Sequence, residues 1–516
     1  MIDLLIVCTY FAAVFVIALR GRTGKDVTTE GYFLSSRNLR WPSIALSTIA
    51  TNIQGYQFLG MMGSAYLYGL AQASLEINAM QGILMAAFIF VPLYLRERVI
   101  TITQFIQKHM GQTVGLFYSI ANLLMFATIG LGAALFWGAY AADLVFEEYL
   151  LFLHEDRIIR VAILIVFLGV FSAIYTYMGG LNAVVKTDII QFAMLFLGGV
   201  AVLFISIKQL GGWSQLYEKT PQLMHLHLPA DHPKLPWTHV FGLFLLNINY
   251  WCANQTVMQR SLAARSLREA QVGLMVGGVI KYFMAVLIVI PGIALFGILG
   301  DGGTLSDPDM AFPYLVSTYL PVGLQGFVLC ALFASLMSTV DSTFNSLATL
   351  WSIDIYKSYI NKNASDREVV NAGRKTIILT LITGVLMGLV LLYVKFENPG
   401  AAFTHTLNEL RYYINCGIVV LICAAGFLIA PKHKLAVVAF LSTIPLHLII
   451  QSLFPNMNYF VRAMWVILIA FMILAAGSMN GGWRPWDQLI QAHSPAIARI
   501  GAGLIGSLVL LHIVFH

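Results

Sequence analysis

The sequence predicts an all-α membrane protein that crosses the bilayer about fourteen times. Three observations lead to this fold class. Only 10% of the 516 residues are charged, against about 25% in a typical soluble domain. Hydrophobic residues make up 59% of the chain, and the mean hydropathy is +0.80. The apolar residues also fall in stretches of about 20, the length that a helix needs to span a membrane. This composition excludes a soluble multidomain enzyme and a disordered scaffold.

Fourteen stretches have the length and the low charge of a membrane span. The first is not typical of a signal peptide, because its basic residues, Arg20 and Arg22, follow the apolar run. The longest loop, residues 209–237, is too short for a soluble catalytic domain, and we expect it to form an outer cap. The predicted spans are roughly 2–19, 41–66, 72–95, 114–146, 158–178, 187–208, 238–259, 270–299, 322–356, 373–394, 403–430, 434–454, 460–478 and 496–515.

The loops between these spans differ in positive charge. Roughly three times as many Lys and Arg residues lie in the odd-numbered loops as in the even-numbered ones, and positively charged loops stay in the cytoplasm. Both termini are therefore expected outside, with the protein in the plasma or bacterial inner membrane. The net charge of +6 follows from these loops and does not indicate a nucleic-acid partner. The five cysteines form no CxxC pair and indicate neither a disulfide framework nor a zinc site.

Six charged residues stand out deep inside the predicted spans, where a charge costs several kcal/mol. Charges in such positions either mark a substrate or ion pathway or pair with one another to hold helices together. The six are Glu76, Asp188, Lys281, Asp341, Glu409 and Arg411.

The middle of the second span is rich in amide side chains and glycines. These residues are Asn52, Gln54, Gly55, Gln57 and Gly60. They weaken a helix at mid-membrane, and the broken helices of transporters present backbone carbonyls to a cation. The pattern therefore favours a break, although a kinked continuous helix that packs through its glycines is the alternative.

Hydroxyl side chains line one face of the ninth span, because they recur at intervals of three and four residues. Their oxygen atoms are the hard ligands that alkali cations prefer. A packing face of small residues would give the same pattern. Beside a broken helix, however, the row becomes a hypothesis for a cation site. Its members are Ser335, Ser338, Thr339, Ser342 and Ser346.

The seventh span combines amide and aromatic side chains within nine positions. Amide groups bind the hydroxyl groups of a neutral sugar, and an aromatic ring covers the apolar side of the sugar ring. An aromatic belt at the membrane interface is the alternative for the two rings, but the neighbouring amides favour a binding cluster. The cluster consists of Asn247, Asn249, Tyr250, Trp251, Asn254 and Gln255.

From about residue 30 to residue 430 the chain resembles the sodium/solute symporters, most closely the sodium–glucose cotransporter branch. The resemblance rests on Lys281, ten residues before Pro291, and on the segments TNIQGYQFLG, YMGGLNAVVKTDIIQ, NYWCANQTVMQRSLAA and FASLMSTVDSTFNSLATLWSIDIYK. It implies a LeuT-like core of five spans followed by five inverted spans. The core would occupy residues 41–430, with a peripheral first span and cytoplasmic loop in 1–40 and three peripheral spans in 431–516.

The resemblance also implies sodium as the co-transported ion and assigns its ligands. The first sodium site would use the backbone carbonyls of Ala50, Ile53 and Ser335 and the hydroxyls of Ser338 and Thr339. A second sodium site, present in some relatives, would involve Asp188, Ser338, Asp341 and Ser342. Asp341 stands where relatives often have a hydroxyl residue, so it could strengthen cation binding or carry a proton.

The sugar site of the branch would map onto Gln57, Glu76, Asn247, Lys281 and Asn408, with Tyr250 as an aromatic gate, Trp251 beside it and Met61 in an outer lid. Four positions depart from the family pattern. Asn408 stands where relatives often have the longer glutamine. Leu75 and Thr404 replace aromatic lid residues of some sugar transporters. Arg411 has no place in the sugar pattern and would either pair with Glu409 or meet an anionic substrate.

The sequence thus predicts a sodium-coupled symporter that takes up a hexose-like sugar by alternating access, and no enzyme. Its expected partners are a small-molecule sugar and the lipid bilayer, without nucleic acid or an obligatory protein partner. One alternative is uptake of a sugar acid or organic acid such as sialic acid, with Arg411 on the carboxylate. A second is a membrane sensor, which would need an output domain larger than the short segment 479–495. No Ser/His/Asp or metal-ligand constellation supports a membrane-embedded hydrolase or transferase.

Overall fold

Helices form nearly all of the described chain. The computed structural model describes residues 2–21, 24, 27–54, 57–300, 305, 307–397 and 403–516, and of 403–408 only the backbone. No β-strand occurs within these residues, only isolated bridges such as Leu39–Ala264. The all-α prediction is confirmed.

The first part of the chain alternates long helices with short segments. The outer cap predicted after the sixth span contains one of the short helices, α11. The helices are α1 (Ile2–Arg20), α2 (Thr29–Leu34), α3 (Trp41–Asn52), α4 (Met62–Tyr68), α5 (Ser74–Ile77), α6 (Ala79–Met85), α7 (Val91–Arg96), α8 (Ile102–Met125), α9 (Leu131–Leu150), α10 (Arg157–Leu210) and α11 (Trp213–Lys219).

The second part has the same character, with several longer helices. They are α12 (His239–Ile248), α13 (Gln255–Leu262), α14 (Leu267–Leu299), α15 (Ala311–Tyr319), α16 (Leu324–Thr349), α17 (Asp366–Glu397), α18 (Phe403–Phe427), α19 (His433–Leu453), α20 (Tyr459–Gly477), α21 (Trp486–Leu489) and α22 (Pro495–Val514). One-turn or longer π-helical segments adjoin several of them, among them Gln57–Met61, Asn249–Ala253 and Leu350–Ile360.

The helix α10 contains the predicted fifth and sixth spans, which meet at Gly180. The Asp156 side chain caps its first turn by accepting hydrogen bonds from Ile158 N and Ile159 N. Gly180 has φ +54° and ψ −144°, which interrupts the helix. A Cβ atom there would lie 2.3 Å from the carbonyl oxygen of Tyr32, so only glycine fits this reversal.

The number of spans stays a prediction. Eleven helical stretches in the described residues are long and apolar enough to cross a membrane. Two physical reasons account for the difference from fourteen. The second and seventh spans are each broken into shorter helices, and the fifth and sixth run together across Gly180. The helical segment Ile102–Leu150 is interrupted at Gly111 (φ 85°, ψ 166°) and at Phe146 (φ −124°, ψ 30°), and the stretch between them matches the predicted fourth span.

The helix α16 lies at the centre of the molecule, packed along α10 and against α3, α9 and α17. In the most apolar 18-residue stretch of Leu324–Ile360, 94% of the residues are buried. The corresponding share is 22% for α1 and only 11% for α22. The Asp3 carboxylate of α1 holds the start of α16, because it accepts hydrogen bonds from Gly323 N (2.8 Å) and Gly326 N (2.6 Å). A carboxylate at this end also complements the helix dipole.

Candidate functional site

The predicted break in the second span is confirmed. The helix α3 ends at Asn52, Ile53 is extended with φ −84° and ψ 109°, and helical structure resumes at Gln57. The carbonyl oxygen of Ile53 accepts a hydrogen bond from Ser335 Oγ at 2.7 Å. The broken span therefore places backbone oxygen atoms against the hydroxyl face of α16.

The seventh span has a matching break at Asn254, which is extended with φ −77° and ψ 113°. Here the carbonyl groups before the break are bound by tyrosines. Tyr94 donates to Cys252 O at 2.7 Å, and Tyr118 donates to Ala253 O at 2.8 Å. The two breaks therefore differ in chemistry, since phenol groups satisfy the carbonyls of the seventh span and serine and threonine hydroxyls those of the second.

The residues expected to bind the first sodium ion converge at the break in the second span. Ser335 contacts Ile53, and Thr339 Oγ1 donates to Thr51 O (3.2 Å) and to Ser335 O (3.2 Å). Ala50 is fully buried two residues before the end of α3. Ser338 differs from the others, because its hydroxyl donates to Asp188 Oδ1 at 2.5 Å.

The Asp188 carboxylate lies in a buried polar network with Arg260. Its Oδ2 atom accepts from Arg260 Nη2 at 3.1 Å and also from the hydroxyl of Ser47. Both side chains of this ion pair are fully buried. The predicted spans leave Arg260 in the loop after residue 259, whereas the structure places it in the last turn of α13, fully buried. The remaining acceptors of Arg260 are Ser47 Oγ, Thr51 Oγ1, Ser342 Oγ and the carbonyl of Thr256.

Asp341 lies near this network but binds different groups. Tyr175 donates to Asp341 Oδ2 at 2.5 Å, and Ser342 Oγ lies 3.4 Å from the other oxygen. The structure thus brings Asp188, Asp341 and Ser342 into one region, with Arg260 bound to two of the three. Tyr175 is a neighbour that the sequence analysis missed, because nothing in its local pattern distinguishes it from an interfacial tyrosine.

A cavity of about 440 Å³ lies beside the two breaks. It reaches the surface at the exposed residue Lys234. Six of the seven predicted substrate-binding residues line it, namely Gln57, Glu76, Asn247, Tyr250, Trp251 and Lys281. Sequence reasoning missed several of its other polar and aromatic members, including Gln72, Trp137, Tyr412, Asn415 and Tyr459.

A buried ion pair forms the floor of this cavity. Lys281 Nζ contacts Glu76 Oε2, and it also donates to Asn52 Oδ1 at the end of α3. The second carboxylate oxygen of Glu76 accepts from Gln57 Nε2 at 3.0 Å. The side chains of Lys281 and Glu76 are only 3% and 6% exposed. This chain of contacts joins the cavity directly to the broken second span.

The aromatic and amide residues of the seventh span form one wall. The rings of Tyr250 and Trp251 meet edge to face, with centroids 5.2 Å apart. Asn247 Nδ2 donates to Asn78 O at 2.9 Å. Gly82 allows this close approach, because a Cβ atom there would lie 2.8 Å from the Trp251 ring and 2.9 Å from Asn247 Cβ.

Of the remaining predicted positions, some line the cavity and others have side chains that the structure does not describe. Met61 and Leu75 line the cavity, so the lid position that lacks an aromatic residue does border this space. The side chains of Asn408 and Thr404 lie outside the part of the chain that the structure describes.

Arg411 and Glu409 do not form a pair. Glu409 instead pairs with Arg462 of α20, and Arg411 Nη2 donates to Ile129 O at 3.4 Å. Arg411 is not one of the described residues that line the cavity. Of the two alternatives for Arg411, the pairing with Glu409 is therefore wrong.

Comparisons with known proteins show which family the chain is similar to. A model of the sodium:solute symporter family matches residues 32–428. A sodium/glucose cotransporter of Vibrio parahaemolyticus is 30% identical over 93% of this chain and 90% of its own length. Sodium/glucose cotransporter 4 of Mus musculus is 28% identical over 82% of this chain, which spans 65% of that longer protein.

The fold has counterparts among solved structures. A Na⁺-coupled sialic acid symporter in its substrate-bound, outward-open state superposes with a TM-score of 0.78, at 19% identity. The match covers 93% of this chain and 98% of that one. At this identity the similarity concerns the fold alone.

Proposed function

The chain belongs to the sodium:solute symporter family, and from that premise we propose that it takes up a hexose-like sugar together with sodium. The single observation that carries the sugar assignment is the cavity. Amide groups, a carboxylate–ammonium pair and an aromatic wall line one space of about 440 Å³. This volume lies in the range of ordinary small-molecule sites.

The chemistry of the cavity suits an uncharged polyhydroxy compound. Because Glu76 and Lys281 pair with each other, together they present one acceptor and one donor group without net charge. Asn247 and Gln57 add amide groups, and the ring of Tyr250 offers an apolar face. Sugar hydroxyls both donate and accept hydrogen bonds, so they match this mixed lining. The sodium/glucose relatives support the same substrate class.

Sodium is assigned to the break in the second span. In this proposal the carbonyls of Ala50, Ile53 and Ser335 and the hydroxyls of Ser338 and Thr339 bind the ion. The contact of Ser335 with Ile53 O supports this, since it brings α16 against the exposed end of α3. A second ion at Asp188, Asp341 and Ser342 would have to share two of these side chains with Arg260.

Coupling follows from the contact between the two sites. Asn52 ends the helix α3 beside the proposed ion site and binds Lys281 in the cavity wall. An ion that orders the end of α3 therefore also orders Lys281, which favours sugar binding to the same conformation. A membrane potential of about 100 mV supplies about 2.3 kcal/mol for each charge that moves inward.

The orientation in the membrane is part of the proposal. The surface at Lys234, where the cavity opens, would be the outer side, and both termini would lie outside in the plasma or inner membrane. Residues 41–430 would form the inverted-repeat core, with 1–40 and 431–516 at its periphery. The low burial of α1 and α22 supports such peripheral positions.

Uptake into liposomes tests this function. Purified protein would be reconstituted and supplied with a panel of neutral hexoses and sugar acids, with and without an inward sodium gradient. We expect sodium-dependent uptake of a neutral hexose. Uptake of acids alone, abolished in Arg411→Ala, would instead favour the sugar-acid transporter. Substrate binding without any uptake would favour a sensor.

A further inference from the structure

Arg260 connects four helices through the polar network described above. It lies in the last turn of α13 and is fully buried. We use the name arginine network for Arg260, Ser47, Thr51, Asp188 and Ser342. Ser47 and Thr51 belong to α3, Asp188 to α10 and Ser342 to α16. One guanidinium group therefore holds the inner ends of both broken spans against two other helices of the core.

The arginine network and the cavity lie on opposite sides of the two breaks. In the second span, Thr51 precedes the break and the cavity residue Gln57 follows it. In the seventh span the order is reversed, because the cavity residue Asn247 precedes the break at Asn254 and Arg260 follows it. The cavity opens at Lys234, so the network closes the way to the opposite face, which carries the Leu39–Ala264 bridge.

The network also contacts the proposed sodium ligands. Asp188 offers one oxygen to Arg260 and the other to Ser338, at 3.1 and 2.5 Å. Thr51 binds Arg260 through its hydroxyl and Thr339 through its carbonyl. An ion that fixes Ser338 and Thr339 therefore also fixes two of the groups that hold Arg260. This step rests on the sodium site proposed above.

We propose that Arg260 is a gating residue that keeps the Leu39 face closed while the cavity is open at Lys234. The opposite face opens only when α13 moves away from α10 and α16, and this movement separates Arg260 from Asp188. Because both charges are buried, they separate only as water reaches them. Arg260 thereby prevents the cavity from being open to both faces at once, and sodium strengthens this closure.

A buried reporter cysteine tests the gate without requiring transport. Ser261 adjoins Arg260 and is fully buried, so Ser261→Cys becomes reactive only when the Leu39 face opens. The exposed Cys8 would be replaced by serine, since the other four cysteines are buried. The background protein thus carries Ser261→Cys and Cys8→Ser. The rate at which a polar maleimide labels it in detergent would be compared with the rates for the same protein with Arg260→Gln added and with Arg265→Gln added. Arg265 is an exposed arginine and serves as the matched control.

We expect Arg260→Gln to raise the labelling rate at least tenfold and Arg265→Gln to leave it within twofold. The double variant Arg260→Gln/Asp188→Asn removes both charges of this ion pair, so neither is left without its partner and the variant reports on the gate even where the single variant does not fold. Unchanged labelling in folded protein of both Arg260 variants would overturn the proposal.

The response to sodium separates the gate from the proposed function. We expect sodium to slow labelling of the background protein and to have no effect in the Arg260→Gln protein. If Arg260→Gln raises labelling but sodium slows neither protein, the gate stands and its link to sodium, together with the sodium site, is refuted.

Discussion

The ion pair of Lys281 and Glu76 gives the sharpest test of the cavity. We consider Lys281→Met, which keeps much of the side-chain volume and removes the ammonium group. The Glu76 carboxylate, only 6% exposed, would then retain the hydrogen bond from Gln57 but lose its cation. Asn52 would lose its donor as well. The change therefore disturbs the cavity and the end of α3 together.

The size of the effect follows from the burial of the pair. Removing one partner of a buried ion pair costs about 3–5 kcal/mol. Because the pair borders a cavity that water can enter, we take the lower limit for the loss of folding stability, about 3 kcal/mol, and we expect the thermal midpoint of the purified protein to fall. The sugar loses a hydrogen bond to a charged group, which is worth about 1.5–3 kcal/mol, or roughly ten- to a hundredfold in affinity. We therefore expect the KM for sugar uptake to rise by roughly ten- to a hundredfold, or uptake to be lost.

Two further variants isolate the cause. Lys281→Met/Glu76→Gln leaves no unpaired charge, so its thermal midpoint should return towards the wild-type value while uptake stays impaired. Lys208→Met, at an exposed lysine, should change neither property. A Lys281→Met protein with normal affinity and stability would refute the assignment of this pair to the sugar site.

Three other changes have expected outcomes. Thr339→Ala should weaken the sodium dependence of uptake about tenfold through loss of one ligand oxygen, whereas Thr339→Ser should retain it, and equal behaviour of the two would exclude this hydroxyl as a ligand. Arg411→Ala should leave the preference among neutral sugars and acids unchanged in the uptake panel; a selective loss of acid uptake would contradict this. The ring nitrogens of His227 and His512 lie 2.9 Å apart, and burial, aided by His516, lowers the pKa of His227 below its ordinary value of 6.5. The unfolded chain then binds the proton more readily, so this contact contributes fully to stability above about pH 6.5 and less as the pH falls below it. The thermal midpoint of the His227→Gln protein should therefore depend less on pH than that of the wild type. Identical pH profiles of the two proteins would refute this.

The sequence allowed the break in the second span to be predicted because its cause is local. Amide side chains and Gly55 within a few positions weaken the helix there, and α3 does end at Asn52. The spacing of hydroxyls in the ninth span likewise depends only on the helical period, so the contact of Ser335 with the broken span could be anticipated. The resemblance to known symporters then assigned sugar-binding roles to six residues that line the cavity, of which Asn247, Tyr250 and Trp251 had already been found from the local pattern of the seventh span.

Contacts between distant parts of the chain could not be predicted in this way. Arg260 directly follows the predicted end of the seventh span, and a count of loop charges treats such an arginine as cytoplasmic. Its burial results from Asp188 and from helices far away in the sequence. The partner of Glu409 was wrong for the same reason, because Arg462 belongs to another helix and no local spacing points to it.

The hydroxyl contacts at the break in the second span bear on the return of the empty transporter across the membrane. Ser335 donates to Ile53 O and Thr339 to Thr51 O, so carbonyls at the end of α3 already have partners within the protein. Without such partners, buried carbonyls would carry a large desolvation penalty. If sodium binds at the site proposed above, these hydroxyl hydrogens would occupy the carbonyls in its absence. The unloaded protein could then return across the membrane without first filling its ion site with water.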